Sequence, residues 1–427
     1  MGANTPPSRI VGRMTTVSDT ELDHLSTFMT GALPSFLADL EQLVNIDCGS
    51  YTKSGVDQVG RWFAEQMKEL GADVRVEPNE TLGDTVVGVL GSGSGAGHAM
   101  LIGHLDTVFA EGTASERHYS VKDGRAYGPG VNDMKAGLLA GVYALRALRA
   151  LATAAAGRQV APADWLPFGR LTFVGNPDEE IGSPVSTLVI RDVAETAEVC
   201  FVLESARANG DIVSARKGIA DYIAQIEGRA AHAGVEPEKG RSAVVEAAHK
   251  TLALTSLNGR WPAVTVNVGV IAGGTRPNVI AEHCELEIDL RATSRADMEA
   301  AEDAITEICM RSTVPYVLCT INRRHRWWPM ERSDSTALLA DSAIALASRI
   351  GFELHDASTG GASDANTTSG MGVPTLDGLG PVGGADHAPG EYTEIDSIVP
   401  RTVLLAALLL TGSLDSPQAM RLRVRSQ

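Results

Sequence analysis

The chain has 427 residues, 44% of them hydrophobic, with 36 basic against 53 acidic side chains and a formal net charge of −17. That length exceeds what one hydrophobic core usually organises, so two domains are expected. The acidic balance excludes a nucleic-acid-binding face, which needs clustered Lys and Arg opposite phosphate, and no segment reads as a membrane span, since the longest candidate, VLLAALLLTGSL near the C-terminus, is too short and reads as a buried helix.

Residues 1–20 have no apolar h-region, and Pro6 stands where a myristoylation pattern needs Ser or Thr. They are expected to be a disordered leader, with Met14 a second candidate start. Helical spacing then runs from about Asp23 to Leu43. After LVNI and a turn comes an amphipathic helix that stops at Gly71, followed by a strand. DTVVGVL and AMLIGHLD read as strands flanking the flexible link GSGSGAG. MKAGLLAGVYALRALRALA is a helix with Arg146 and Arg149 on its wet side, and LTFVGN and EVCFVLE are buried strands. This mixture predicts an α/β sheet covered on both faces.

The texture changes near residue 214. IADYIAQIEG alternates as a strand, SAVVEAAHKTLAL is helical, AVTVNVGVIAG and CELEIDLRA are strands, RADMEAAEDAITEICMRS is helical, and YVLCTINRR is a strand. The order β-α-β-β-α-β is that of a ferredoxin-like sandwich. After Trp328 the α/β mixture returns with TALLADSAIALASRIG, VPTLDGL and IVPRTVLLAALLL. The expectation is a larger domain of residues 21–213 and 327–427, interrupted by a small α+β domain of residues 214–326. The cysteines at 48, 200, 284, 309 and 319 form no C-x-x-C pair and read as reduced thiols of a cytoplasmic protein.

Acids and histidines collect at the ends of the apolar strands. In LIGHLDTV, His104 and Asp106 are two apart and share one side of an extended chain. A carboxylate there can fix a histidine's tautomer and raise its basicity. A Gly-Pro-Gly turn precedes Asp133 at the start of a helix. In LTFVGNPDEEIGS an apolar run stops and three successive acids follow, Asp178, Glu179 and Glu180, each raising the cost of ionising the next. Glu204 closes EVCFVLE, and His387 lies in GGADHAPGEY. Singly, these fragments read as a core histidine, a helix-capping acid and a solvated loop. Together, in an α/β sheet, they converge on the crevice beyond the carboxyl ends of the strands. Two histidines with several carboxylates suit Zn, with Mn or Co as alternatives. A pair of divalent ions would keep the clustered acids ionised.

The ordered blocks GHLDTV, GPGVNDMKAG, DEEIGS, VLES, GRAAHAGVEPEKGRSAVVEAA, GVIAGGTRPNVI, TGGASDA and HAPGEY resemble the co-catalytic zinc exopeptidase family that includes glutamate carboxypeptidase, aminoacylase and succinyl-diaminopimelate desuccinylase. They span about residues 25–415, and LVNI adds to the likeness to the glutamate carboxypeptidase branch. The resemblance implies a mixed-sheet α/β catalytic domain of zinc-exopeptidase type with an inserted ferredoxin-like dimerisation (lid) domain. It implies that Asp133 bridges two metal ions, that His104 and Glu204 complete one site, and that Glu180 and His387 complete the other. Glu179 would be the general base that takes a proton from the metal-activated water, and Asp106 would orient His104. His232 would reach the active site of a partner subunit and support the oxyanion, so a homodimer is expected. Asn278 and Arg291 would contact a small-molecule substrate bearing a carboxylate, and the run from Gly360 through Gly361 to Ser363 would let backbone approach it closely.

The chain departs from the pattern in places. Ala362 replaces a glycine and Ser363 a threonine of the glutamate carboxypeptidases, and Glu204 stands where many branches have Asp. Arg326 lies near where a second substrate-carboxylate arginine would fall. Trp327 and Trp328 either line an aromatic pocket or pack at a domain hinge. Three functions are therefore expected in order: hydrolysis of a peptide or N-acyl amino acid, hydrolysis of a non-peptidic C–N bond of an aromatic amine or amide at the same metal site, and non-catalytic binding.

Overall fold

A computed structural model of the chain describes residues 17–91, 97–161 and 165–414. Residues 1–16 of the expected leader and 92–96 of the glycine-serine link lie outside the described residues. The boundary expected at residue 20 falls inside a helix, which occupies Asp19–Val44. Ser18 accepts from the Glu21 amide while the Glu21 side chain returns to the Ser18 amide, a capping box that starts the helix ahead of its hydrophobic stripe.

The chain divides into two compact units. The first takes residues up to Ser214, Arg332–Ala357 and those from Ser363 on; the second takes Ala215–Glu331 and Ser358–Ala362. The boundary expected after residue 326 would cut the last strand of the second unit, Leu318–Trp327, where Trp327 still pairs with Ile219.

The first unit is built on a six-stranded sheet in the order Asp73–Glu77, Thr85–Leu90, Arg170–Asn176, His98–His104, Val199–Val202, Thr375–Leu376. The last four strands are mutually parallel, and the first two add antiparallel to that edge. His98–His104 is buried at every position, as a strand covered on both faces should be. The helices Asp19–Val44, Lys53–Glu69, Ala136–Ala156, Asp334–Ile350 and Ile395–Leu414 contribute to one continuous hydrophobic core with this sheet.

One helix was underrated from sequence. Among the described residues, Val131–Ala156 is long and apolar enough, by length and composition, to cross a membrane. Here it is a core helix: residues 136–145 are all buried, leaving almost no polar face to mark it. Its close approach needs glycine at 137, where an added Cβ would sit 1.9 Å from the Leu203 carbonyl oxygen. A second, small sheet escaped the sequence reading. It runs in the order Gly383–Gly384, Tyr392–Glu394, Arg125–Tyr127, Ser120–Lys122, and its strands are too short for a hydrophobic period to show.

The second unit is the expected ferredoxin-like sandwich. Its antiparallel strands stand in the order Thr265–Gly273, His283–Ala292, Gly218–Glu227, Leu318–Trp327. The helices Ala243–Thr255 and Arg295–Met310 pack on it, and Ala220, Ala224, Ile226, Leu286, Ile288, Met298, Ala301 and Ile305 share its separate core. A buried ion pair, Glu246 with Lys250 at 3.0 Å, sits under the turn that joins the second helix to the last strand.

Candidate metal centre

The parallel register of the first unit brings the side chains together. His104 ends its strand abreast of Asn176, and Ile102 stands abreast of Val202 on the other side. Leu203 N donates to Ile102 O at 3.0 Å, which carries Glu204 to the same sheet end as His104. Gly380 N then donates to Glu204 O at 2.8 Å, and buried Arg401 holds Gly380 O at 3.0 Å. This is the carboxyl-end crevice where open α/β sheets place their chemistry.

Asp133 arrives from the loop before the core helix. Lys135 is buried and donates to Pro129 O at 3.0 Å and Ile46 O at 3.2 Å, tying that loop to the LVNI segment. Glu391, itself buried, accepts from the amides of Asn132 (2.8 Å), Asp133 (3.0 Å) and Gly130 (2.9 Å). The small sheet keeps this clamp in place, since Thr393 pairs with Ala126. It also brings in His387, while Asp386 accepts from Asn132 Nδ2 at 2.7 Å.

The three successive acids have separate fates. Asp178 turns inward, accepting from Ser186 Oγ at 2.5 Å and Val185 N at 2.7 Å, and so holds the loop closed. The amides of Glu179 and Glu180 both donate to the Asp106 carboxylate at 3.2 Å, and Ser50 Oγ donates to it at 2.6 Å. Asp106 therefore orients the acidic loop as much as the histidine. His104 Nδ1 lies 3.0 Å from the Asp106 backbone carbonyl and 3.4 Å from its carboxylate.

The side chains meet around Asp133. Its Oδ1 is 2.9 Å from His104 Nε2, which is 3.8 Å from Glu204 Oε1. Its Oδ2 is 3.0 Å from His387 Nε2, which is 3.2 Å from Glu180 Oε2. One carboxylate thus faces a His–Glu pair with each oxygen. Ligand atoms of His104, Glu179 and Glu204 lie within 4.8 Å of one another, as do those of His104, Asp133 and Glu180.

The electrostatics of this cluster call for a cation. Burial pushes Glu179 well above the ordinary carboxylate range, with Glu204 adding repulsion, and burial likewise raises Glu180. Hydrogen bonds to Asp133 and Glu180 lift His387 to about 10. Burial opposes a charged His104, yet Glu204, Asp106 and Asp133 hold its proton well above normal. Asp133 is buried too, but the two histidines keep it below the usual range. Five carboxylates, at positions 106, 133, 179, 180 and 204, face at most two imidazolium charges, and buried Glu180 Oε1 has no hydrogen-bond partner. A donor set of imidazole nitrogens and carboxylate oxygens with an orphaned oxygen fits divalent metal ions.

Four further residues were not singled out from sequence. Glu391 lay inside a quoted block that was read only for its histidine. Burial pushes its carboxyl up to about 7 although the three amides oppose this. Asp364, at the start of the helix Asp364–Gly370, accepts from Ser183 Oγ at 2.6 Å and from Asn176, and burial raises it to about 6. Ser50 and Asn176 carried no sequence signal. Ser363 caps that same helix, and its buried hydroxyl donates to Asp377 at 2.6 Å.

The remaining expected residues lie in the second unit. Exposed His232 forms an isolated bridge with Val279, and Ala233 N donates to Asn278 O at 3.0 Å, so His232 and Asn278 share one loop pair. Gly234 N donates to His232 Nδ1 at 3.2 Å, which leaves the neutral ring's proton on Nε2. Arg291 is oriented by Asp289 at 3.1 Å and by the Gly360 carbonyl at 3.0 Å, while Gly361 O accepts from Arg216 at 3.1 Å. Arg326 pairs with Glu302 at 3.4 Å and stacks on Trp328 at 3.8 Å. Arg295 also lies over the Trp328 ring, and Trp327 is buried edge-on to His325.

The chain is also similar to known proteins. Residues 100–411 match the model of Peptidase family M20/M25/M40. The chain is 28% identical to Carboxypeptidase G2 of Pseudomonas sp. (strain RS-16) across 89% of its own length and 90% of that protein's. It is 29% identical to Acetylornithine deacetylase of Proteus mirabilis (strain HI4320) over 64% of this chain and 71% of that one. In fold it is similar to aminopeptidase PepT of Bacillus cereus ATCC 10987, with a TM-score of 0.70, 23% identity and coverage of 89% and 98% of the two chains. The M20 family metallo-carboxypeptidase Sso-CP2 of Sulfolobus solfataricus gives a TM-score of 0.67 at 15% identity, over 88% and 98%.

Proposed function

The chain belongs to Peptidase family M20/M25/M40 and is a metal-dependent hydrolase of peptide or acyl-amino acid bonds, and from that premise we propose that it works as a two-metal exopeptidase of carboxypeptidase type with Glu179 as general base. The observation that carries this reading is the division of donors about Asp133, one oxygen toward His104 and Glu204 and the other toward His387 and Glu180. Glu179 is the carboxylate left over, beside the His104–Glu204 side. Zn suits the donors best, and Mn and Co are compatible.

Two divalent ions held by these five residues would activate a water and polarise the scissile carbonyl. Glu179 takes the proton of that water and returns it to the leaving nitrogen. Asp106 fixes Glu179 and Glu180 through their amides, so base and ligand are aimed by one group. His232, whose Nδ1 is engaged by the Gly234 amide, donates from Nε2 to the developing oxyanion. Arg291, pre-oriented by Asp289, takes the substrate carboxylate, and Asn278 is proposed as a further substrate contact.

We also propose a homodimer, which features of the second unit support. Thr265–Gly273 is an edge strand with exposed Val270 and Ile271, and the helix Ala243–Thr255 exposes Val244, Val245 and Leu252. An apolar edge of this kind is normally covered. The aromatic-substrate alternative loses its motive, since Trp327 is buried and Trp328 lies beneath two guanidinium groups.

Glu179→Ala should keep its metal and lose roughly 10²-fold or more in kcat toward N-acyl amino acids or dipeptides with a free C-terminal carboxylate. Turnover near wild type in a variant with confirmed metal content would exclude Glu179 as the base.

A further inference from the structure

The loop that carries Glu179 and Glu180 is held at two places. Asp106 accepts from the amides of both at 3.2 Å. The second hold lies at the base of the loop, where four polar residues meet out of reach of solvent. Asn176, Asp178 and Ser183 are 0% exposed and Asp364 is 1% exposed. Polar groups buried this deeply are found hydrogen-bonded, and a satisfied network of them fixes local geometry.

Asn176 ends the strand Arg170–Asn176, and its Oδ1 accepts from Asp178 N at 3.0 Å. Its Nδ2 donates one hydrogen to Ser183 Oγ at 3.0 Å and the other to Asp364 Oδ2. Ser183 Oγ donates in turn to Asp364 Oδ1 at 2.6 Å. Ser183 N closes the loop onto Asp178 O at 2.8 Å, and Gly182 N donates to Glu179 O at 2.8 Å. Asp364 therefore takes the residue that leads into the acidic loop with one oxygen and the residue that leads out of it with the other.

At Ser183 this arrangement works against the backbone. Its φ is +52°, in the left-handed region, where a residue with a Cβ is strained and glycine is not. A chain that needed only to turn here would be better served by glycine. What serine adds is the hydroxyl, and the hydroxyl goes to Asp364. Asp364 is anchored from its own side. It is the first residue of the helix Asp364–Gly370, whose cap Ser363 donates to Asp377 at 2.6 Å. Asp377 in turn exchanges backbone bonds with Val213 at 2.8 and 2.9 Å.

We propose that Asp364 is a positioning residue for the hydrolysis, acting through Ser183 and Asn176 to set where the Glu179 carboxylate stands in the donor cluster around Asp133. This rests on the reading of Glu179 as general base. A base must lie within hydrogen-bond reach of the proton it takes, and a misplacement of about 1 Å can cost about 10²-fold in rate. An acid at the first position of a helix also favours the helix electrostatically. That role alone would change stability and leave the turnover of folded protein as it was.

The test is kcat of the metal-loaded protein toward an N-acetyl amino acid, with metal content confirmed. The variants are Ser183→Gly, Asp364→Ala and Asp364→Asn, each made in the wild type and in Glu179→Ala. Ser183→Gly relieves the left-handed turn in exchange for the lost hydroxyl, so it is expected to fold, yet to lose roughly 10-fold or more in kcat. Asp364→Ala should lose at least as much. Asp364→Asn keeps an acceptor for Asn176 and a donor toward Ser183 Oγ, and should recover part of the loss. In the Glu179→Ala chain none of the three should lower kcat further. Folded variants with wild-type kcat, or losses of full size that persist without Glu179, would overturn the proposal. A Glu179→Ala chain as fast as the wild type would remove the base and this proposal together, which separates that failure from a failure of Asp364 alone.

Discussion

At the scale of single residues, Glu391 shows what holds the proposed ligand Asp133 in place. Its Oε1 accepts from two amides and its Oε2 from a third, and the segment so held carries Asp133. A glutamine offers one acceptor and one donor, so at least one amide would face another N–H group, at a cost of about 1–3 kcal/mol. Glu391→Gln is therefore expected to fold and to bind metal roughly 10–100-fold more weakly, by competition with a chromophoric chelator. Metal affinity equal to wild type would show that the loop holds itself. The cluster was legible in the sequence because His104, Glu204 and the two glutamates of the acidic loop interrupt apolar strands at their ends, while the ligand roles came from the family resemblance. Glu391 and Asp364 were not. A carboxylate that serves backbone amides leaves no spacing signature, and only the folded register shows what it faces.

At the scale of elements, the strand His98–His104 joins chemistry at one end to packing at the other. His98 Nε2 lies 2.8 Å from Thr172 Oγ1 and Nδ1 lies 3.0 Å from Thr196 Oγ1, both across strand and loop neighbours. Burial, with Arg170 nearby, lowers it from 6.5 to about 4. Between those values the unfolded chain binds a proton that the native chain does not. Stability is therefore fully present above pH 6.5 and falls as pH drops toward 4, with a slope approaching about 1.4 kcal/mol per pH unit. Denaturant unfolding of the wild type against His98→Gln should show the wild type losing ground over that window, and parallel curves would contradict the assignment. Elements with a clear period were readable, including all six of the ferredoxin-like unit. The four-strand sheet that carries His387 toward Asp133 was not, because two- and three-residue strands have no period. The helix at Val131–Ala156 was read correctly as a helix, and its burial at residues 136–145 goes further than the wet side marked by Arg146 and Arg149 suggested.

At the scale of the whole molecule, the chain has two units with separate cores, one holding the clustered donors and the other holding His232, Asn278 and Arg291. If His232 serves the partner's site, Glu179→Ala and His232→Ala chains should each be nearly inactive alone. Subunit exchange between them should restore up to about a quarter of wild-type activity, because half the dimers would then own one intact site. No recovery after verified exchange would place His232 in its own subunit's site or outside the chemistry. The division into a large α/β body and a small insertion was legible because the hydrophobic texture changes near residue 214. The true edges were harder to see, because Trp327 still pairs in the sheet and Ser358–Ala362 returns to the second unit. The most direct test of the central claim is anomalous diffraction at the zinc edge from crystals grown with zinc. The expected result is two peaks flanking Asp133, one ligated by His104 and Glu204 and the other by Glu180 and His387. A single peak, or metal bound away from Asp133, would contradict it.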